Sequence, residues 1–132
     1  MDIEIINIAA NTYNNKEIKK FTHKSKYKNT ICGDQIEIRL IIRGKKIVDF
    51  GYQSKSCIYC QASASLLSNL SMNKSLTKIN ELINLVSNFF VDTNIIISKE
   101  WKKIEKIVNK KNISRKECIL LPFKSLRKAI QN

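Results

Sequence analysis

Four cysteines, Cys32, Cys57, Cys60 and Cys118, stand in a chain with a single histidine. Thiolates are both nucleophiles and soft metal ligands, so their spacing sets what chemistry is open to them. Cys57-Ile58-Tyr59-Cys60 has the C-x-x-C spacing of a redox pair or of half a zinc knuckle. The redox form needs a parallel β-α-β setting and the knuckle needs a second ligand pair; the surrounding sequence offers neither. Cys32-Gly33-Asp34 is more informative, because Gly33 permits a tight turn in which a thiolate and a carboxylate two residues apart point at one ion. Cys32, Asp34, Cys57 and Cys118 together form a donor set that zinc accepts. Any one of these cysteines taken alone also reads as a core residue, since free cysteine is among the most buried residue types. For Cys60 the core reading is preferred to that of a further ligand. His23, in a basic stretch, reads as solvated.

The elements that must position these residues change character along the chain. Residues 3–12, with Ile3, Ile5, Ile6, Ile8, Ala9 and Ala10, predict a short helix that the asparagine-rich run 11–15 ends. Residues 16–28 predict a basic loop entering a strand near Lys26–Thr30. Alternation at Ile36, Ile38 and Leu40 predicts a half-buried strand, Gly44-Lys45 a turn, and Lys46–Ser54 the returning strand of a hairpin. Helices follow. One runs from Ser56 as N-cap through Leu70, which puts Cys57 where the helix dipole favours a thiolate. A second is capped by Ser75 and repeats Leu76, Ile79, Leu82, Ile83, Val86 and Phe90 at helical spacing. A third covers about 98–110 with Trp101, Ile104, Ile107 and Val108 as its core stripe. A last helical segment is expected to begin at Ser114 or Arg115 and reach Ile130, with the helix proper starting near Leu121, because Pro122 fits a first turn and not a helix interior. Strands followed by helices predict a single α+β domain over residues 1–132.

Composition narrows the function classes. The chain has 132 residues, 43% of them apolar, with one Pro and three Gly, which excludes a disordered or collagen-like chain. No apolar run is long enough to span a bilayer, and the Met-Asp-Ile-Glu start lacks the basic and apolar regions of a signal peptide, so a cytoplasmic protein is expected. The net charge of +13 suggests nucleic acid. However, lysine outnumbers arginine five to one, and arginine is the better fork for guanine edges and phosphates. The excess is also localised, with +5 over residues 16–28 and +6 over residues 99–116. These clusters are expected to flank the cysteine site, favour its thiolates and steer an acidic partner, with Lys102, Lys103 and Lys106 prominent.

The ordered segments Asn29-Thr30-Ile31-Cys32-Gly33-Asp34, Lys46-Ile47-Val48-Asp49-Phe50, Ser56-Cys57 leading into Gln61-Ala62-Ser63-Ala64-Ser65, and Arg115-Lys116-Glu117-Cys118-Ile119-Leu120-Leu121 resemble the IscU/NifU-N/SufU family of iron–sulfur cluster assembly proteins. The resemblance covers nearly the whole chain. Glu117 stands where the IscU branch has a histidine, Arg115 stands three residues before the last cysteine as in the SufU-like branch, and the long Cys57–Cys118 interval matches that branch's insertion. The resemblance therefore leans to SufU-like proteins. It implies a three-stranded antiparallel sheet with helices packed on one side, and Cys32, Asp34, Cys57 and Cys118 converging on a metal. In IscU-type scaffolds that site assembles a [2Fe–2S] cluster; in SufU-type proteins it holds zinc, and the cysteine matching Cys32 accepts persulfide sulfur. Glu117 stands as a further oxygen ligand or a bystander. The implied partners are a cysteine desulfurase and apo iron–sulfur client or carrier proteins. Two rival readings remain at this point: a basic nucleic-acid-binding module, and a metal-free adaptor of the desulfurase with its cysteines in the core.

Overall fold

The structure, a computed structural model, describes residues 2–131. Helix α1 (Ile3–Ala10) begins where the Asp2 carboxylate accepts the Glu4 backbone N–H at 2.9 Å. Strands β1 (His23–Lys28), β2 (Gln35–Arg43) and β3 (Lys46–Lys55) form one antiparallel sheet in that order. The β2–β3 turn has both Gly44 (φ 57°) and Lys45 (φ 60°) in the left-handed region, the combination whose twist matches a two-residue hairpin. Strand β1 starts three residues before the sequence suggests. Its lysines hide the alternation, for Ser25 turns inward and is buried while Lys24, Lys26 and Lys28 turn outward.

Helices α2 (Ile58–Ser71), α3 (Leu76–Phe89) and α4 (Lys116–Gln131) follow, and α2 and α4 pack on the inward face. Ile36, Ile38, Leu40, Phe50 and Tyr52 from that face join Leu67, Ile119 and Phe123 in the core. The expected α+β architecture, helices on one side of three strands, is what forms. Ser75 caps α3 as expected, its Oγ accepting the Lys78 N–H at 3.2 Å. Small residues of α2 let its neighbours approach closely: the Ser63 hydroxyl donates to the Ile119 carbonyl of α4 at 2.6 Å, and that of Ser65 to the Asn11 carbonyl at the end of α1 at 2.8 Å.

Three helix boundaries depart from the sequence reading. The N-cap of α2 is Cys57, not Ser56. In place of one helix over 98–110 there are two 3₁₀ segments, Lys99–Lys106 and Lys110–Arg115. Trp101, Ile104 and Ile107 recur every three residues, which is the 3₁₀ period, and all are buried. Helix α4 starts at Lys116, so Pro122 lies inside it rather than near its start. Pro122 has no N–H for the Cys118 carbonyl, and the buried neighbours Ile119, Leu121, Phe123 and Leu126 compensate through packing.

The stretch read as a basic loop is an ordered strap. The Asn14 carbonyl accepts the Tyr52 N–H at 3.0 Å on the open edge of β3, while its side-chain amide donates to Ser68 Oγ and Asn69 Oδ1 of α2. Covering an edge in this way blocks strand addition. Onward, the strap crosses the outer face of the sheet: Lys16 pairs with Asp49 at 2.9 Å, Ile18 is buried beside Gly51, and Phe21 lies 4.7 Å from the Arg39 guanidinium. Arg39 also donates to the Ile18 carbonyl at 3.1 Å.

Candidate metal centre

Cys32 and Asp34 sit on the six-residue connection between β1 and β2, which its own first residue organises. The Asn29 N–H donates to the Asp34 carbonyl and the Gly33 N–H to the Asn29 carbonyl, both at 2.8 Å. The Asn29 side-chain oxygen accepts the N–H groups of Ile31 (2.8 Å) and Cys32 (3.4 Å). Gly33 has φ +80°, so conformation rather than space demands glycine there; a Cβ would meet nothing within 4 Å. The result is an exposed Cys32 at the loop tip, next to Ile31, which is 86% exposed. Sequence reasoning did not assign Asn29 a role, although an Asx turn three residues before the cysteine is a readable signal.

Cys118 arrives from the first turn of α4, held there by the α2–α4 packing. Among the described residues, ligand atoms of Cys32, Asp34 and Cys118 all lie within 4.8 Å of one another. Asp34 is only 9% exposed and Cys118 8%. Cys57 lies beside this group rather than within it. Its backbone N–H donates to Asp34 Oδ2 at 3.3 Å. Asp34 thus ties the β1–β2 loop to the N-terminus of α2, where an anion is favoured.

Burial pushes the Cys118 thiol up, and the bond to Cys57 and the negative charge of Asp34 and Cys32 act in the same direction. Cys60, one turn into α2, is fully buried and lies in the core cluster. Its thiol is pushed up to about 12, chiefly by burial, with a bond to Ser56 opposing. Tyr52 is raised for the same first reason, and its bond to Ser65 opposes.

The residues named as supporting take separate positions. The Arg115 guanidinium lies 5.2 Å from the ring centroid of Tyr59, two residues after Cys57. Glu117 turns to Lys124 at 3.6 Å and is outside the Cys32–Asp34–Cys118 group. His23 is partly exposed, with Nδ1 2.8 Å from Thr22 Oγ1. The lysines of residues 99–106 do not flank the site. Lys103 and Lys106 line a cleft of about 490 Å³ with Glu4, Asn11 and Asn69, near the C-terminal end of α2 and roughly 16 Å along its axis from Cys57. Lys102 is engaged with Glu105 at 2.9 Å. The period-3 register of the 3₁₀ segment, invisible in the charge count, sends them there.

Comparison with known proteins bears on this geometry. The model of the NifU-like N-terminal domain matches residues 3–89. The chain belongs to the NifU-like N-terminal domain family. An uncharacterised protein of Borreliella burgdorferi is 32% identical over 126 residues, which is 95% of this chain and 86% of that protein. The iron–sulfur cluster assembly scaffold protein IscU of Thermotoga maritima is 28% identical over 105 residues, 79% of this chain and 73% of its own length. The crystal structure of FiSufU from Fervidobacterium islandicum AW-1, a candidate scaffold protein for the SUF system, superimposes with a TM-score of 0.87 at 22% identity, covering 98% of this chain and 96% of that one. This NifU-like chain therefore falls in the family of iron–sulfur cluster assembly scaffolds, with the family's fold. The matched segment contains Cys32, Asp34 and Cys57 but stops short of Cys118, so the last thiol joins the group through the packing of α4.

Proposed function

We propose that this NifU-like protein holds a metal on Cys32, Asp34, Cys57 and Cys118 and accepts sulfur on Cys32 from a cysteine desulfurase, in the SufU-like manner. The observation that carries this reading is the convergence of two thiols and a carboxylate within 4.8 Å, with a third thiol alongside and one member, Cys32, exposed. The donor chemistry fits zinc: thiolates and a carboxylate are its ordinary ligands, and their present spread is one that a single ion can gather. A bound zinc ion would hold the thiols ionised. Among the described residues no other group of three such ligands competes for a metal. The four cysteines are free, as suits a reducing cytoplasm, and no helix is long and apolar enough to cross a membrane.

Sulfur acceptance needs an exposed nucleophile and a donor brought in line. The Cys32 thiolate attacks the outer sulfur of the donor's persulfide; the donor's S–S bond breaks as a new one forms, and the donor cysteine leaves as thiolate. The Cys32 persulfide keeps the proton that its outer sulfur carried, and no net oxidation occurs. Gly33 and the Asn29 turn present the sulfur; Asp34, anchored on the Cys57 N–H, fixes the loop behind it.

A second reading, assembly of a [2Fe–2S] cluster as substrate on the same ligands, is favoured by the relative named as an IscU scaffold. Metal quantitation after anaerobic purification separates the two: about one zinc supports the sulfur acceptor, and iron with acid-labile sulfide supports the scaffold. Cys32→Ala is expected to abolish sulfur uptake with the fold intact by circular dichroism. Protein free of zinc and iron that also takes no metal on anaerobic reconstitution would overturn both, and leave the adaptor reading.

A further inference from the structure

The outer face of the sheet is divided in two by the strap. Its far half lies under Lys16, Ile18 and Phe21, whereas its near half is open and forms a groove of about 410 Å³ lined by Lys26, Gln35, Glu37, Gln53 and Lys55. The register explains the composition: Lys26, Glu37 and Gln53 stand in one row across the three strands, and Lys28, Gln35 and Lys55 in the next. That second row is the end of the sheet at the metal site. The Lys28–Gln35 pair closes the loop carrying Cys32, and Lys55 is two residues from Cys57.

We propose that this groove is a docking surface for an acidic segment of the protein that delivers sulfur to Cys32. The inference rests on the reading of Cys32 as sulfur acceptor and adds where the donor is held.

Charge carries the assignment. Among the described residues, Lys26, Lys28 and Lys55 face no carboxylate within ion-pair distance, whereas Glu37 is matched by Arg39 at 3.0 Å. The surplus at the groove is therefore positive and sits on its rim. Gln35 and Gln53 between the lysines offer donors and acceptors suited to a polypeptide backbone. A phosphate backbone suits this floor less well. Glu37 lies in it, and the adjacent guanidinium, Arg39, is spent on Glu37, the Ile18 carbonyl and the Phe21 ring. Exposed Ile31, next to Cys32 in the chain, adds an apolar contact at the acceptor loop, which a protein partner can bury. Complementary charge of this kind acts mainly on the association rate.

The test uses the full chain, a cysteine desulfurase with sulfur-labelled L-cysteine as donor, and inorganic polysulfide as a small donor that needs no docking. The double variant Lys26→Glu/Lys55→Glu is compared with Lys103→Glu/Lys106→Glu, which changes net charge equally at the other end of α2. At low ionic strength the groove variant is expected to take labelled sulfur from the desulfurase about tenfold more slowly than wild type. The distal variant should stay within about twofold, and both should load from polysulfide at the wild-type rate. Equal slowing of both variants would reduce the effect to net charge and overturn the groove. So would unchanged transfer in Lys26→Glu/Lys55→Glu. A labelled single-stranded oligonucleotide is a further arm: binding at physiological ionic strength that the groove variant loses, with sulfur transfer untouched, would give the groove to nucleic acid instead. If wild type takes sulfur from neither donor, the reading of Cys32 itself has failed, a result distinct from selective loss of the desulfurase route.

Discussion

The four thiols share a side-chain chemistry and differ in surroundings. Cys32 is exposed on a loop tip, and Cys60 is wholly buried with its thiol pushed up to about 12. Alkylation by iodoacetamide should therefore label Cys32 rapidly in the native, metal-free protein and reach Cys60 only on unfolding, as peptide mass mapping would reveal; rapid native labelling of Cys60 would contradict its place in the core. The same burial has a pH consequence. Below the ordinary thiol value of 9.0 both folded and unfolded chains keep the Cys60 proton. Between about pH 9 and 12 the unfolded chain loses a proton that the folded chain retains, so stability falls with rising pH, by up to about 1.4 kcal/mol per pH unit for this group. Urea titrations across that window should show a shallower decline for Cys60→Ala than for wild type; parallel declines would mean that Cys60 contributes nothing. Cys32-Gly33-Asp34 was legible in the sequence because its chemistry is local. The bond from the Cys57 N–H to Asp34 was not, since 23 residues separate the partners and only the α2 N-terminus brings them together.

At the scale of elements, the sequence is most legible where period and burial agree, as in β2, β3 and α3. It misleads where another force sets the boundary. Lysines at every outward position masked the first half of β1, and tertiary burial of a three-residue repeat turned an expected α-helix into 3₁₀ segments. The strap was hidden because its anchors, the Tyr52 N–H, Asp49, Gly51 and Arg39 of the sheet and Ser68 and Asn69 of α2, are remote in sequence. Gly51 is the contact that makes it possible: an added Cβ would lie 2.7 Å from the Lys16 carbonyl oxygen and 2.9 Å from Ile18 Cγ1. Gly51→Ala must lift the strap and should cost about 1–3 kcal/mol in urea unfolding while metal content stays unchanged, because the strap crosses the half of the sheet away from the site. An unaltered midpoint would show that the strap contributes nothing to stability. Pro122 poses the converse case. Pro122→Ala restores an N–H to the Cys118 carbonyl and is expected to raise stability by about 1–2 kcal/mol, read from the same titration; a loss would show that the ring's packing outweighs the missing bond.

For the molecule as a whole, a metal that binds only the folded chain stabilises it by mass action, by about 4 kcal/mol at a thousandfold excess over its dissociation constant. Chelation should accordingly lower the melting temperature of the zinc-loaded protein, and Asp34→Ala should reduce that difference; identical melts with and without chelator would argue against a metal on these ligands. The charge of +13 also belongs at this scale. It is not one patch: Lys26 and Lys55 line the groove on the outer face of the sheet, Lys28 stands with Lys55 in the row at the metal-site end, Lys103 and Lys106 lie at the far end of α2, and Arg115 stacks on Tyr59. The class of fold, the ligand candidates and their family could be read from the chain, because hydrophobic period, turn chemistry and the C-G-D motif are properties of neighbouring residues. That Cys118 meets Cys32 and Asp34, that Cys57 stands beside them, that Glu117 turns to Lys124, and which lysines lie near the site all emerge from the folded chain. Those outcomes depend on the packing of α4 against α2 and the sheet, whose partners are distant in sequence, and packing is fixed by the complementarity of whole surfaces rather than by any local pattern.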